Sequence, residues 1–130
     1  MAELHDLTAL EQSRAVRTRE ISAVDLVDHY AARADALDSI VGAFVTRCDD
    51  LARDQARDLD ARIARGEPVG PLAGAVVPVK DLDFLHGVRF RGGSVTVDLV
   101  GPHDDNVVVA MKRGDLLITG KTNTPEFGMP

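Results

Sequence analysis

The stretch Ala75-Val76-Val77-Pro78-Val79-Lys80 constrains this chain more than any other. It is apolar and rich in β-branched residues, and it has strand length, yet it does not alternate with polar residues. A strand that must face water on one side alternates; one that does not is covered on both faces, as in parallel sheets flanked by helices. Parallel neighbours need a long crossover rather than a hairpin. Asp104-Asp105-Asn106 can cap a helix through about Arg113, and Leu116 to Thr119 reads as a second compact strand. Strand, helix and strand make a βαβ unit, expected to be right-handed. Pro78 cannot donate to a ladder and marks a bulge or a sheet margin. Asp81 to Ser94, with Gly87, Gly92 and Gly93, reads as loop or short irregular strand. Only two or three strands are visible, fewer than an independent sheet requires. The sequence therefore implies an α/β fold whose sheet is incomplete as written, with apolar residues at Phe127-Gly128-Met129-Pro130 and an open edge able to recruit a copy or a partner chain.

The half before Arg65 has a different texture, rich in Ala, Arg and Asp. Asp6 or Thr8 can cap a short helix to about Thr18. Ser22, with Asp25 three residues on, opens a second, whose apolar stripe is Val24, Val27, Tyr30 or Ala31, Ala34 and Leu37. Val41 to Thr46 is a short apolar break. A third helix from about Asp49 to Arg65 buries Leu51 or Ala52, Gln55 or Ala56, Leu59 and Ile63, and Gly66 stops it. The expected organisation is one unit over 1–130, helical over 1–66 and opening the α/β core over 67–130.

Composition removes several functions. Fifteen basic and 21 acidic residues give 15 − 21 = −6, and the pI is near 5.1. Nucleic acid and anionic membranes select clustered positive charge, so neither is an expected partner. No apolar run approaches the roughly 20 residues of a bilayer span, and the first residues lack the basic start and apolar run of a secretory signal. Cys48 is the single cysteine, which excludes an internal disulfide and a cysteine-based zinc site. A cytoplasmic location follows as the expectation.

Lys80 is the candidate for chemistry, because it ends an apolar strand and ligands gather at the carboxyl ends of strands in α/β sheets. Desolvation beside Val77 and Val79 would favour the neutral amine, a base. Position alone favours a plainer role, an ion pair with Asp81 or Asp83. Gly120-Lys121-Thr122 lacks the upstream glycine of a phosphate loop, since Asp115 stands at that place. Ser94 in Arg91-Gly92-Gly93-Ser94 has no following glycine and reads as a turn serine, not a nucleophile elbow. Asp81, Asp83, His86, His103, Asp104 and Asp105 match no metal-ligand spacing, and His5 and His29 read as surface or packing residues.

Several separated segments, in order, resemble the amidase signature family. They are Gly70-Pro71-Leu72-Ala73-Gly74-Ala75-Val76-Val77-Pro78-Val79-Lys80-Asp81, then Gly87-Val88 and Gly93-Ser94, then Asp105-Asn106-Val107-Val108, then Gly120-Lys121-Thr122-Asn123-Thr124-Pro125-Glu126-Phe127-Gly128. Ser22-Ala23-Val24-Asp25-Leu26-Val27 and Val41-Gly42-Ala43-Phe44-Val45 extend the likeness, so it runs from about Ser22 to Gly128. The resemblance implies a central mixed sheet wrapped by helices, and cleavage of a small-molecule carboxamide by a Ser–cis-Ser–Lys triad without cofactor or metal. Lys80, in Val79-Lys80-Asp81, matches the family's catalytic lysine. The resemblance places both serines beyond the Gly-Lys-Thr-Asn segment, and Ser13, Ser22, Ser39 and Ser94 match neither. This chain would thus supply the base but no nucleophile. The alternatives are a truncated non-catalytic remnant or interaction subunit, and a fragment of an amidotransferase A-type subunit. Departures from the family pattern include Ala73, Ala75 and Val76 for its frequent His, Ile and Pro, Phe90-Arg91 for a pair of threonines, and Gly114-Asp115 for Ala-Gly.

Overall fold

The computed structural model describes residues 3–129; Met1, Ala2 and Pro130, the ends of the expected unit, lie outside them. Helices α1 (Ala9–Arg17), α2 (Ala23–Val41) and α3 (Asp49–Ala64) come first, with strand β1 (Phe44–Arg47) between the last two. Strand β2 (Val76–Lys80), the two-residue strands β3 (Arg89–Phe90) and β4 (Leu99–Val100), helix α4 (Asn106–Arg113) and strand β5 (Leu117–Thr122) follow.

The caps decide where the helices begin. Thr8 rather than Asp6 opens α1: its backbone N–H donates to Glu11 at 2.7 Å while its hydroxyl accepts from the Glu11 N–H. Ser22 and Asp25 repeat this reciprocal arrangement for α2 at 2.9 and 3.1 Å. Asp60, from α3, accepts from the N–H groups of Ala23 and Val24 as well. Three of the first-turn donors of α2 are thereby satisfied by side chains, one of them 37 residues away.

Strands pack in the order β1-β5-β2, with β5 antiparallel to β1 and parallel to β2. This is the mixed α/β sheet expected, and α4 lies within the crossover from β2 to β5. Successive residues of β5 feed two cores. Leu117 joins Val16, Leu26, Val27, Ala52, Ala56 and Leu59 on the side of the first three helices. Ile118 joins Val79, Leu85 and Val108 on the side of α4. Each fully buried Leu or Ile stabilises by roughly 1.5–3 kcal/mol, so β5 is held from both faces.

Pro78 satisfies both of its readings: β2 is a margin of the sheet among the described residues, and its register with β5 slips between Val77 and Val79. The break at Val41 to Thr46 is in part strand β1, which has no signature in the sequence. Four residues are too few for a period, and β1 exists because β5 pairs with it. For the same reason β5 runs on to Thr122 rather than ending at Thr119. Gly120 permits this, since a Cβ there would sit 2.4 Å from the Thr46 carbonyl oxygen. Along α2 the stripe is corrected too. Leu26 is buried where Val24 was expected to be, and the far half of the helix leaves Leu37 and Val41 open. Among the described residues no helix is long and apolar enough to cross a membrane.

Candidate active site at the Lys80 strand end

Lys80 and Thr122 are register partners at the carboxyl ends of the parallel pair β2 and β5. Beyond Lys80 the chain turns at once, with the Asp83 N–H donating to the Lys80 carbonyl at 3.1 Å and the Asp81 N–H to the Thr122 carbonyl at 2.9 Å.

Asp81 organises the site. One carboxylate oxygen accepts from Lys121 Nζ at 2.7 Å; the other accepts from the backbone N–H groups of Arg91 and Gly92 at 3.0 and 3.1 Å. Lys121 and Asp81 have 0% and 1% side-chain exposure. Taking two charges out of water costs several kcal/mol per ion unless geometry and hydrogen bonds compensate; here both carboxylate oxygens are occupied. The Lys121 ammonium also lies 5.1 Å from the centre of the Phe90 ring, a favourable cation–π distance.

The turn that Asp81 grips docks on the last described segment. The Phe127 N–H donates to the Gly92 carbonyl at 2.7 Å, and the Ser94 hydroxyl donates to Glu126 at 2.7 Å. Gly93 permits the approach: it has φ of +72°, and a Cβ there would lie 2.6 Å from the carbonyl oxygens of Thr124 and Pro125. Ser94 is thus a buried anchor, in keeping with the turn reading. The segments 79–81, 91–94 and 120–128, far apart in sequence, form one hydrogen-bonded cluster at the carboxyl end of the sheet.

Lys80 itself differs from expectation in one respect. Its side chain is exposed. Val79, the neighbour expected to shield it, faces the other way into the core with Leu85, Val108 and Ile118, as adjacent residues of a strand must. Nor does Lys80 form the plainer ion pair, because Asp81 is taken by Lys121, and among the described residues no carboxylate lies within ion-pair distance of Lys80. The buried lysine is Lys121. The signal was legible, a lysine five residues into an apolar strand, but its partner was not.

The remaining candidates have local duties. Gly120-Lys121-Thr122 is strand, with its ammonium turned into the core. Asp104 accepts from the His86 N–H at 2.8 Å and from Lys112 Nζ at 2.6 Å. Burial pushes the Asp104 carboxyl up, but Lys112 and the His86 N–H outweigh it and hold it below its ordinary value. Asp105 accepts from the Phe84 N–H at 2.7 Å and lies 3.1 Å from His103 Nε2. These carboxylates tie the loop after β2 to the start of α4.

Residues 25–130 match the protein-family model described as Amidase. This chain belongs to the amidase family. Among curated proteins it is 38% identical over 128 residues to the A-type subunit of the glutamyl-tRNA(Gln) amidotransferase of Carboxydothermus hydrogenoformans, covering 98% of this chain and 26% of the relative. It is equally similar, 38% over 130 residues, to the protein of the same name from Salinispora tropica, covering 99% and 26%. Among solved structures, a bacterial aryl acylamidase of the amidase signature enzymes superposes with a TM-score of 0.86 at 28% identity, over 93% of this chain and 26% of that one. The peptide amidase of Stenotrophomonas maltophilia, at 23% identity and a TM-score of 0.87 over 94% and 26%, shares the fold. The chain spans about a quarter of the length of the relatives it matches.

Proposed function

We propose that these residues belong to an enzyme that hydrolyses carboxamide C–N bonds, and that Lys80 is its base. In this reading 1–66 and 67–130 make one unit with further residues of the kind the relatives possess, acting in the cytoplasm on a small-molecule amide. The observation that carries it is the position of Lys80: at the carboxyl end of a parallel strand pair, with the adjacent carboxylate of Asp81 consumed by Lys121 and two backbone N–H groups. Among the described residues the Lys80 amine is thereby left without an ion-pair partner, and its cover would come from outside them.

The chemistry then runs through a hydroxyl relay. Neutral Lys80 takes the proton of a bridging serine, which takes that of a nucleophilic serine. The nucleophile adds to the amide carbonyl, and the C–N bond breaks as the nitrogen leaves protonated, as ammonia or an amine. Water then cleaves the acyl-enzyme. In a protein carrying this chain together with both serines, Lys80→Ala should lower kcat by about a thousandfold while substrate binding persists. Near-normal turnover would remove Lys80 from the mechanism. The 130 residues alone should show no amide hydrolysis; turnover that Lys80→Ala abolishes would contradict this.

A second reading, favoured by the names of the curated relatives, is the A-type component of an amidotransferase. There the released nitrogen goes to an acceptor rather than to water. Turnover that depends on an acceptor and on partner chains would select it over a free-standing amidase.

A further inference from the structure

Before α1 a short helical turn, Leu4–Asp6, lies against α2. His5 Nδ1 is 2.9 Å from His29 Nε2, and the two ring planes are within 18°. Arg33, one turn further along α2, brings a guanidinium nitrogen to 3.1 Å from His5 Nε2. A guanidinium can only donate, so Arg33 holds this contact through a lone pair of His5 Nε2. Arg33, His5 and His29 thus form one polar chain, and imidazole is the commonest protein ligand of transition-metal ions.

A carboxylate oxygen of Glu3 completes the group: one ligand atom each from Glu3, His5 and His29 lies within 4.8 Å of the others. Metal–nitrogen bonds of about 2.0–2.1 Å in a tetrahedral site put two ligand nitrogens roughly 3.3 Å apart, so the 2.9 Å pair must open and both rings, whose nitrogens now face one another, must turn until their lone pairs converge on the cation. We propose that Glu3, His5 and His29 bind a late first-row divalent cation, with zinc as the representative. The cation would clip the N-terminal turn to α2. Two imidazoles and one carboxylate select such ions over Mg²⁺ or Ca²⁺, which take all-oxygen sites.

The proton balance adds a distinctive requirement. A cation on His5 Nδ1 requires the ring's N–H to lie on Nε2, where it opposes the Arg33 donor. Arg33 is exposed and can turn to water. Asp6, whose carboxylate is 3.9 Å from His5 Nε2, is placed to receive the new N–H, as carboxylates beside metal-bound histidines do. Arg33 thus competes with the cation.

Calorimetric titration of the full chain with zinc should give one site. His5→Gln and His29→Gln should each weaken it at least tenfold, whereas Arg33→Ala should tighten it several-fold. His86→Gln/His103→Gln, which removes the other two histidines, should bind as the parent does, and Mg²⁺ should not bind. The proposal is overturned if the parent binds zinc no better than His5→Gln/His29→Gln, if affinity follows His86 and His103, or if Arg33→Ala weakens binding. Should a variant fail to fold, the imidazole NMR resonances of the parent decide: zinc must shift those of two histidines out of four, and shifts of none or all overturn it.

Discussion

At the scale of single residues, the Asp81–Lys121 pair carries the largest local consequence. Lys121→Met would leave a carboxylate charged and buried with only two backbone donors, a change that costs about 3–5 kcal/mol. Asp81→Asn/Lys121→Met removes both charges and should recover a large part of that loss. Urea midpoints for the parent, both single variants and the double variant measure the coupling; strictly additive losses would mean that the pair is not what holds these segments together. Which lysine is buried was beyond reach of the sequence. Lys80 ends β2 and Lys121 stands one residue before the end of β5, each after an apolar start. Only the direction each side chain takes from β2 or β5, and the return of the Arg91-Gly92 turn over Asp81, sends one to solvent and the other to the core.

Between elements, the end of α3 is tied to the turn between α4 and β5. Arg62 donates to Asp115 at 2.6 Å, and the same carboxylate accepts from the Gly70 N–H at 3.0 Å. Asp115 stands where the family pattern suggests glycine, and its φ is +58°, a left-handed conformation that aspartate adopts at some cost. The ion pair offsets this strain. Burial pushes the Asp115 carboxyl up, yet Arg62 and the Gly70 N–H together outweigh it and hold it below its ordinary value. A carboxyl depressed in the folded state contributes stability above its unfolded value, about 3.9, and that contribution disappears as pH falls through the lower folded value. Asparagine tolerates the same backbone conformation, so Asp115→Asn isolates the charge. It should cost about 1 kcal/mol at neutral pH, and the gap in urea midpoint should close as the pH falls well below 4. A gap that persists in acid would assign the cost to packing instead.

For the molecule as a whole, what stands out is apolar surface without cover. A groove of about 310 Å³ runs between the far half of α2 and the sheet, lined in part by Leu37, Val41, Phe44, Val76 and Pro78. Ile40 and Val41 beside it are 79% and 67% exposed. The outer edge of β2 has no neighbouring strand among the described residues. Exposed apolar patches and open strand edges drive association. The 130 residues alone should therefore elute in size-exclusion chromatography above the 14.0 kDa monomer, increasingly so with concentration. A monodisperse monomer with one cooperative unfolding transition would show that this surface tolerates water.

By itself the sequence determined the elements whose causes are local. Thr8 and Ser22 caps, the periodicity of α3, the apolar run of β2 and the turn glycines all act within a few residues, so the helices, the βαβ unit and the margin position of Pro78 could be read directly. It also carried enough ordered motifs to point to the amidase family and to Lys80. Tertiary structure alone decided what depends on contacts between distant segments. Strand β1 forms because β5 is there to pair with it. Asp60 becomes a helix cap only when α3 crosses the start of α2. His5 and His29, 24 residues apart, meet only when the first turn folds back on α2. The burial of Lys121 in place of Lys80 follows from which way each strand turns its side chains, and a strand's facing is settled by what packs against it.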